Sequence, residues 1–169
     1  MRQVTINENT VFTSLTYGQL PMRTVLWKIL SYVASDPYAR YELAVGTDSM
    51  TRSQGTTFAV AITVHKVGKG SIFFYKKYLV NRFFDLHRKI QQETEISLNV
   101  AGYITRSLGN QILDKEKDVH LSIHMDVGEN GATSKLVDEM GGWVSSMGFD
   151  YAIKPESYAA STVADRLSK

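Results

Sequence analysis

Four acidic residues stand in settings where a carboxylate can do chemistry. Asp48 closes the run Tyr41-Glu42-Leu43-Ala44-Val45-Gly46-Thr47-Asp48, and Glu93 lies in Glu93-Thr94-Glu95. Asp126 follows His124-Met125 and precedes Val127-Gly128, and Asp165 lies in Ser161-Thr162-Val163-Ala164-Asp165. An acid that ends an apolar β-type run is costly to bury without compensation, and a metal ion is a common compensation. Oxygen donors, with no cysteine and one well-placed histidine, favour magnesium or manganese over zinc. Carboxylates from several elements can hold two such ions roughly 4 Å apart, an arrangement that orients a water and stabilises the leaving oxygen in phosphodiester cleavage. Taken singly, an Asp at a strand end is more often a cap, and a helical Glu usually faces solvent. The order strand end, helix, strand end, terminal helix is what gives the set weight.

The elements that must position these acids follow from periodicity. Tyr17 to Ala34 predicts a helix, with Leu20, Val25, Leu26, Ile29, Leu30 and Val33 near helical spacing and a stop at Asp36-Pro37. Tyr41 to Asp48, Thr57 to Val67 and Ser71 to Val80 predict three strands in an antiparallel meander, the last two joined at Gly68-Lys69-Gly70. A long helix is expected from Asp85 to Leu113. Then come a strand from Val119 to Val127, a helix from Ala132 to Met147, a short strand from Phe149 to Lys154 and a last helix from Ser157 to Leu167. The expected architecture is α/β: a five-stranded mixed sheet, the meander plus two further strands, flanked by helices and preceded by an extra N-terminal helix.

Alternation places Glu42, Ala44, Gly46 and Asp48 on one face of the first strand, where small residues would let the long helix approach. On that helix, with Glu93 at zero, Ser97 falls near 40 degrees and Ala101 near 80, at about 100 degrees per residue. Glu95 falls near 200 degrees, on the outer face, so Glu93 is the chosen acid. His124 points with Asp126, either as an accessory to the site or as a space-filling histidine beside the sheet. Lys154 either contacts a substrate phosphate or neutralises the acids.

Together these segments resemble the ribonuclease H-like superfamily, and more specifically its YkuK-like family of short bacterial proteins. The segments that carry the resemblance are Val45-Gly46-Thr47-Asp48-Ser49, Glu93 to Leu98, His124 to Gly128, and Lys154 to Ser161 with Ala164-Asp165. The resemblance implies that Asp48, Glu93, Asp126 and Asp165 match the metal-binding, catalytic acids of the superfamily, with Mg2+ or Mn2+ as cofactor and nucleic acid as partner. It spans nearly the whole chain, and the superfamily core covers about residues 41 to 169.

The bulk properties set outer limits. At 169 residues one domain is expected, with residues 1–40 as an N-terminal arm and helix and 41–169 as core. No apolar run is long enough to cross a bilayer, and the start has no signal-peptide core, which suits a cytoplasmic protein. The absence of cysteine removes disulfides and thiol nucleophiles. The net charge is only +2, but seven Lys/Arg and a single acid lie between Lys66 and Lys89. Lys69, Lys76, Lys77 and Arg82 are therefore candidate nucleic-acid contacts, against the plainer reading of a solvated hairpin. The function expected is a divalent-metal-dependent nuclease acting on RNA, DNA or a hybrid. The alternatives are a non-catalytic nucleic-acid-binding module or an interaction protein that keeps the fold.

Overall fold

The structure is a computed structural model and describes residues 5–114 and 116–159. Its elements run β1 (Val11–Ser14), β2 (Gly18–Pro21), α1 (Met22–Ala34), β3 (Arg40–Arg52), β4 (Gly55–Lys66), β5 (Gly70–Val80), α2 (Leu86–Ile112), β6 (Asp118–His124), a 3-10 turn (Ser134–Leu136), α3 (Val137–Ser146) and β7 (Asp150–Ala152). The sheet order is β2-β1-β5-β4-β3-β6-β7. β6 runs parallel to β3, and β7 parallel to β6, while the other pairs are antiparallel, so the sheet is mixed as expected.

The sheet has seven strands among the described residues, not five. One extra strand, β1, comes from the expected N-terminal arm, and the other, β2, from the expected first turn of the N-terminal helix. Gly18, at φ +73°, closes a tight hairpin between β1 and β2, and Thr13 pairs with Tyr75 of β5. Phe12 is fully buried, and its apolar area anchors the hairpin. The first helix accordingly starts at Met22, with Pro21 as the preceding cap, rather than at Tyr17. The helix expected from Ala132 is delayed as well, because Ala132 and Thr133 lie in a turn where the Thr133 hydroxyl accepts the Gly128 N–H at 3.0 Å.

β3 is the central strand. Tyr41, Leu43, Val45 and Thr47 are buried on one face, and Ala44 on the other. It does not stop at Asp48. Pairing with β4 continues to Arg52↔Gly55, while pairing with β6 ends at Gly46↔His124. Asp48 therefore sits two residues beyond the last β6 partner, where one edge of the strand becomes free.

Helix α2 begins at an Asp85 cap, whose side chain accepts the Arg88 N–H at 2.8 Å. It buries Ile90, Ser97, Ala101, Ile104, Leu108 and Ile112, while Leu86 stays exposed. α2 packs against β3 and also touches α1 and α3, so it is the middle of one helical layer. It lies on the Thr47 face rather than the Asp48 face: Thr47 Oγ1 and Ser97 Oγ are hydrogen-bonded at 2.7 Å. Alternation separates the two faces of a strand but does not say which one a helix covers.

The β3–β4 hairpin depends on Gly55, whose φ is +136° and whose added Cβ would lie 2.2 Å from the Val80 carbonyl oxygen. Gly55→Ala is expected to cost more than about 1 kcal/mol, as positive-φ substitutions do. Urea unfolding measures this, and a variant as stable as the parent would show that the hairpin relaxes freely.

Candidate functional site

Three of the four predicted acids meet where β3 runs on past the end of β6. Asp48 and Asp126 share the sheet face that includes Gly46 and His124, and Glu93 reaches the same region from α2. Ser49, on the Thr47 side of β3, donates its hydroxyl to Glu93 Oε1 at 2.5 Å, and its backbone N–H donates to Asp48 Oδ1 at 2.8 Å. One residue thus ties the two acids together. Ser49 has no role in the sequence-based expectation, which placed the helix on the opposite face of β3. Glu93 is only 4% exposed, whereas Glu95 is half-buried on the outer side of the helix. Asp165 and most of the last predicted helix lie outside the described residues.

Asp126 lies just past β6, which ends at His124 rather than Val127. The chain nonetheless stays alongside the end of β7 and the residues after it, through Met125 N–H to Ala152 O and Lys154 N–H to Val127 O, both 2.9 Å. These bonds bring Lys154 beside Asp126, and its ammonium is 2.8 Å from Asp126 Oδ1. Gly128 leaves the room: a Cβ there would lie 3.3 Å from Lys154 Cβ.

His124 has a structural task. Its Nδ1 accepts the backbone N–H groups of Tyr158 at 3.0 Å and Ala159 at 3.1 Å, and its ring meets the Tyr158 ring edge-on at 4.5 Å between centroids. That nitrogen is therefore an unprotonated acceptor. No local sequence signal indicates this, because the partners lie more than thirty residues downstream.

A family model described as Ribonuclease H-like matches residues 24–169. The chain belongs to the ribonuclease H-like family. Within it, the chain is YkuK-like: it is 33% identical over 167 residues to "Uncharacterized protein YkuK" of Bacillus subtilis (strain 168), covering 94% of this chain and 97% of that protein. No solved structure matches.

The electrostatics of these acids are set by burial. Burial pushes the Glu93 carboxyl up to about 8, with Asp48 and Asp126 adding to the rise and the Ser49 hydrogen bond and Lys89 opposing it. Burial also raises Asp48, followed by the neighbouring Asp126 charge. The hydrogen bond to Asp126 raises Lys154. Lys89, one turn before Glu93, was not singled out from the sequence, although its i−4 spacing places it on the same side of α2. Burial lowers His124 to about 4, against an opposing contribution from Glu42.

Hard oxygen donors from Asp48, Glu93 and Asp126 suit magnesium or manganese in kind. As the side chains stand, no group of three or more His, Cys, Asp or Glu among the described residues is arranged to hold a metal ion. The reason is visible in the contacts, since Glu93 is turned to Ser49 and Asp126 to Lys154. Lys154 supplies positive charge where the acids demand it. Among the described residues, no helix is long and apolar enough to cross a membrane.

The shifts predict a pH dependence for the metal-free protein. Unfolded Glu93 loses its proton near 4.5, and folded Glu93 keeps it to about 8, so Glu93 lowers stability as pH rises between those values. His124 acts oppositely: its contribution is present above 6.5 and is lost as pH falls towards 4. The two slopes oppose each other between 4.5 and 6.5, and from 6.5 to 8 the Glu93 slope is no longer opposed by His124. Stability should therefore fall by about 2 kcal/mol over that upper interval, and the fall should vanish in Glu93→Gln. Urea unfolding in EDTA at pH 6.5 and pH 8 checks it. A fall retained in Glu93→Gln would assign it to another group.

Proposed function

We propose that this chain is a divalent-metal-dependent nuclease that hydrolyses phosphodiester bonds of nucleic acid, with Asp48, Glu93, Asp126 and Asp165 as the acids that hold the ions. The observation that supports it is the meeting of three acids from β3, α2 and the end of β6 in one electrostatic field, within a ribonuclease H-like chain. Bound divalent ions would supply the charge that activates a water and stabilises the leaving oxygen. The chain's own residues do the positioning. Ser49 fixes Asp48 and Glu93 relative to each other. Lys154, on the same rim and half exposed, can turn from Asp126 to a substrate phosphate. His124 holds the 158–159 segment against β6.

Asp48→Asn and Asp126→Asn are each expected to abolish magnesium- or manganese-dependent cleavage while leaving circular dichroism and unfolding cooperative. Full activity in both variants would reject the assignment. A second reading, a non-catalytic nucleic-acid-binding module, is favoured by the Lys154–Asp126 ion pair, which neutralises an acid without metal. Under that reading, substrates bind but none is cut across a panel of metals.

The basic strand contributes unequally. Asp48 pairs with Ala59, and Ala59 with Lys77, so Lys77 shares the face and row of Asp48, two strand spacings or roughly 9.5 Å away. Lys76 faces the other way, and its ammonium contacts the Val11 carbonyl at 3.3 Å and lies 5.2 Å from the Tyr78 ring centroid. Lys69 sits in the β4–β5 turn and Arg82 just after β5. Lys77→Ala should weaken nucleic-acid binding and lower its salt slope by about one, whereas Lys76→Ala should change neither. Salt-dependent anisotropy measures both, and equal effects would remove the distinction between the faces.

A further inference from the structure

A second groove, about 380 Å³, opens on the outer side of α2, between the β5–α2 loop and α3. This volume lies within the range of small-ligand sites, roughly 300–1,000 Å³. Arg82 and Phe84 reach it from the loop, Arg88, Gln91 and Gln92 from α2, and Trp143 from α3. Helical spacing explains the α2 contribution: residues 88, 91, 92 and 95 form one i, i+3, i+4, i+7 stripe. Glu93 lies on the opposite, buried side. His87 Nε2, 3.0 Å from both Glu139 carboxylate oxygens, ties the first turn of α2 to the first turn of α3 and so helps to set the width of the groove.

The charges in the groove are not used up by the fold. Glu95 lines the same wall, yet among the described residues neither Arg82 nor Arg88 forms an ion pair with any carboxylate. The Arg82 guanidinium instead lies 5.2 Å from the Phe84 ring centroid. Phe84 and Trp143 are half-buried and offer aromatic surface, and the two glutamines offer amide donors and acceptors. Guanidinium groups suit a phosphate, aromatic surface a planar heterocycle, and amides and a carboxylate the polar edge of a base. A run of peptide carboxylates would meet Glu95 and leave the aromatic surface without a planar partner.

We propose that this groove binds a nucleoside phosphate unit, either free or as one unit of a single strand. It does not rest on cleavage by the carboxylate site. The chain has two tryptophans, and Trp27 is 61% exposed on α1, so Trp27→Phe leaves Trp143 as the reporter. AMP, CMP and a six-nucleotide deoxyribonucleotide are titrated against this variant in EDTA, where metal-dependent cleavage plays no part. Saturable quenching of Trp143 is expected, and Arg82→Ala with Arg88→Ala should weaken it at least tenfold. Quenching by the mononucleotides identifies a free nucleotide site, and quenching by the oligonucleotide alone identifies a strand site. Both outcomes support the proposal. No saturable quenching by any of the three, or quenching unchanged in the double arginine variant, overturns it. Adding Asp48→Asn should leave the quenching intact, which separates the fate of this groove from that of the nuclease reading.

Discussion

The packing of α2 on β3 is the contact on which the rest of the site depends. The seam is made of small polar groups: Thr47 bonds Ser97, and two residues further along the strand Ser49 bonds Glu93. A carboxylate buried in this way loses most of its hydration, which is why its proton is held so tightly. The fold offers partial compensation through the Ser49 hydroxyl and the Lys89 charge. A larger residue at 97 would break the Thr47 contact and lift the helix that carries Glu93. Specificity of the site therefore begins with hydroxyls and close approach rather than with the acids themselves.

The parts of this arrangement that were legible in the sequence are those governed by periodicity. The meander, the long helix and the selection of Glu93 over Glu95 all follow from spacing, because a strand repeats every two residues and a helix every 3.6. The features that were not legible depend on tertiary partners. The β1–β2 hairpin is only eight strand residues and gains its place by burying Phe12 and meeting β5. The extension of β3 past Asp48 is set by β4, which supplies partners as far as Gly55. The His124 bonds need the chain after β7 to return to the end of β6. Asp165 could be named from the sequence, but its place lies beyond the described residues.

Helix α2 divides two different environments. Its inner side carries a carboxylate into a region already crowded with negative charge, and its outer side carries Arg88 beside two amides and a carboxylate. The same helical geometry produces both, since residues 92 and 93 are adjacent in the chain but about 100 degrees apart around the axis. Mutations on the outer stripe can therefore alter the groove with little effect on the β3 seam. Substitutions at 93 or 97 act on the packing itself.

Lys154 and a divalent cation make competing demands on Asp126. The ion pair is short, but the lysine side chain is about half exposed and the aspartate more than a third exposed. Their attraction is thus screened by solvent, and the ammonium can leave without being stranded in an apolar interior. Glu93 is different, since its carboxyl is held by the Ser49 hydroxyl and has little access to water. Asp126 could therefore exchange Lys154 for another cation at small cost, whereas Glu93 would first have to give up the proton that burial retains there. That asymmetry makes Asp126 the exchangeable end of the cluster and Glu93 the end held in place by the fold.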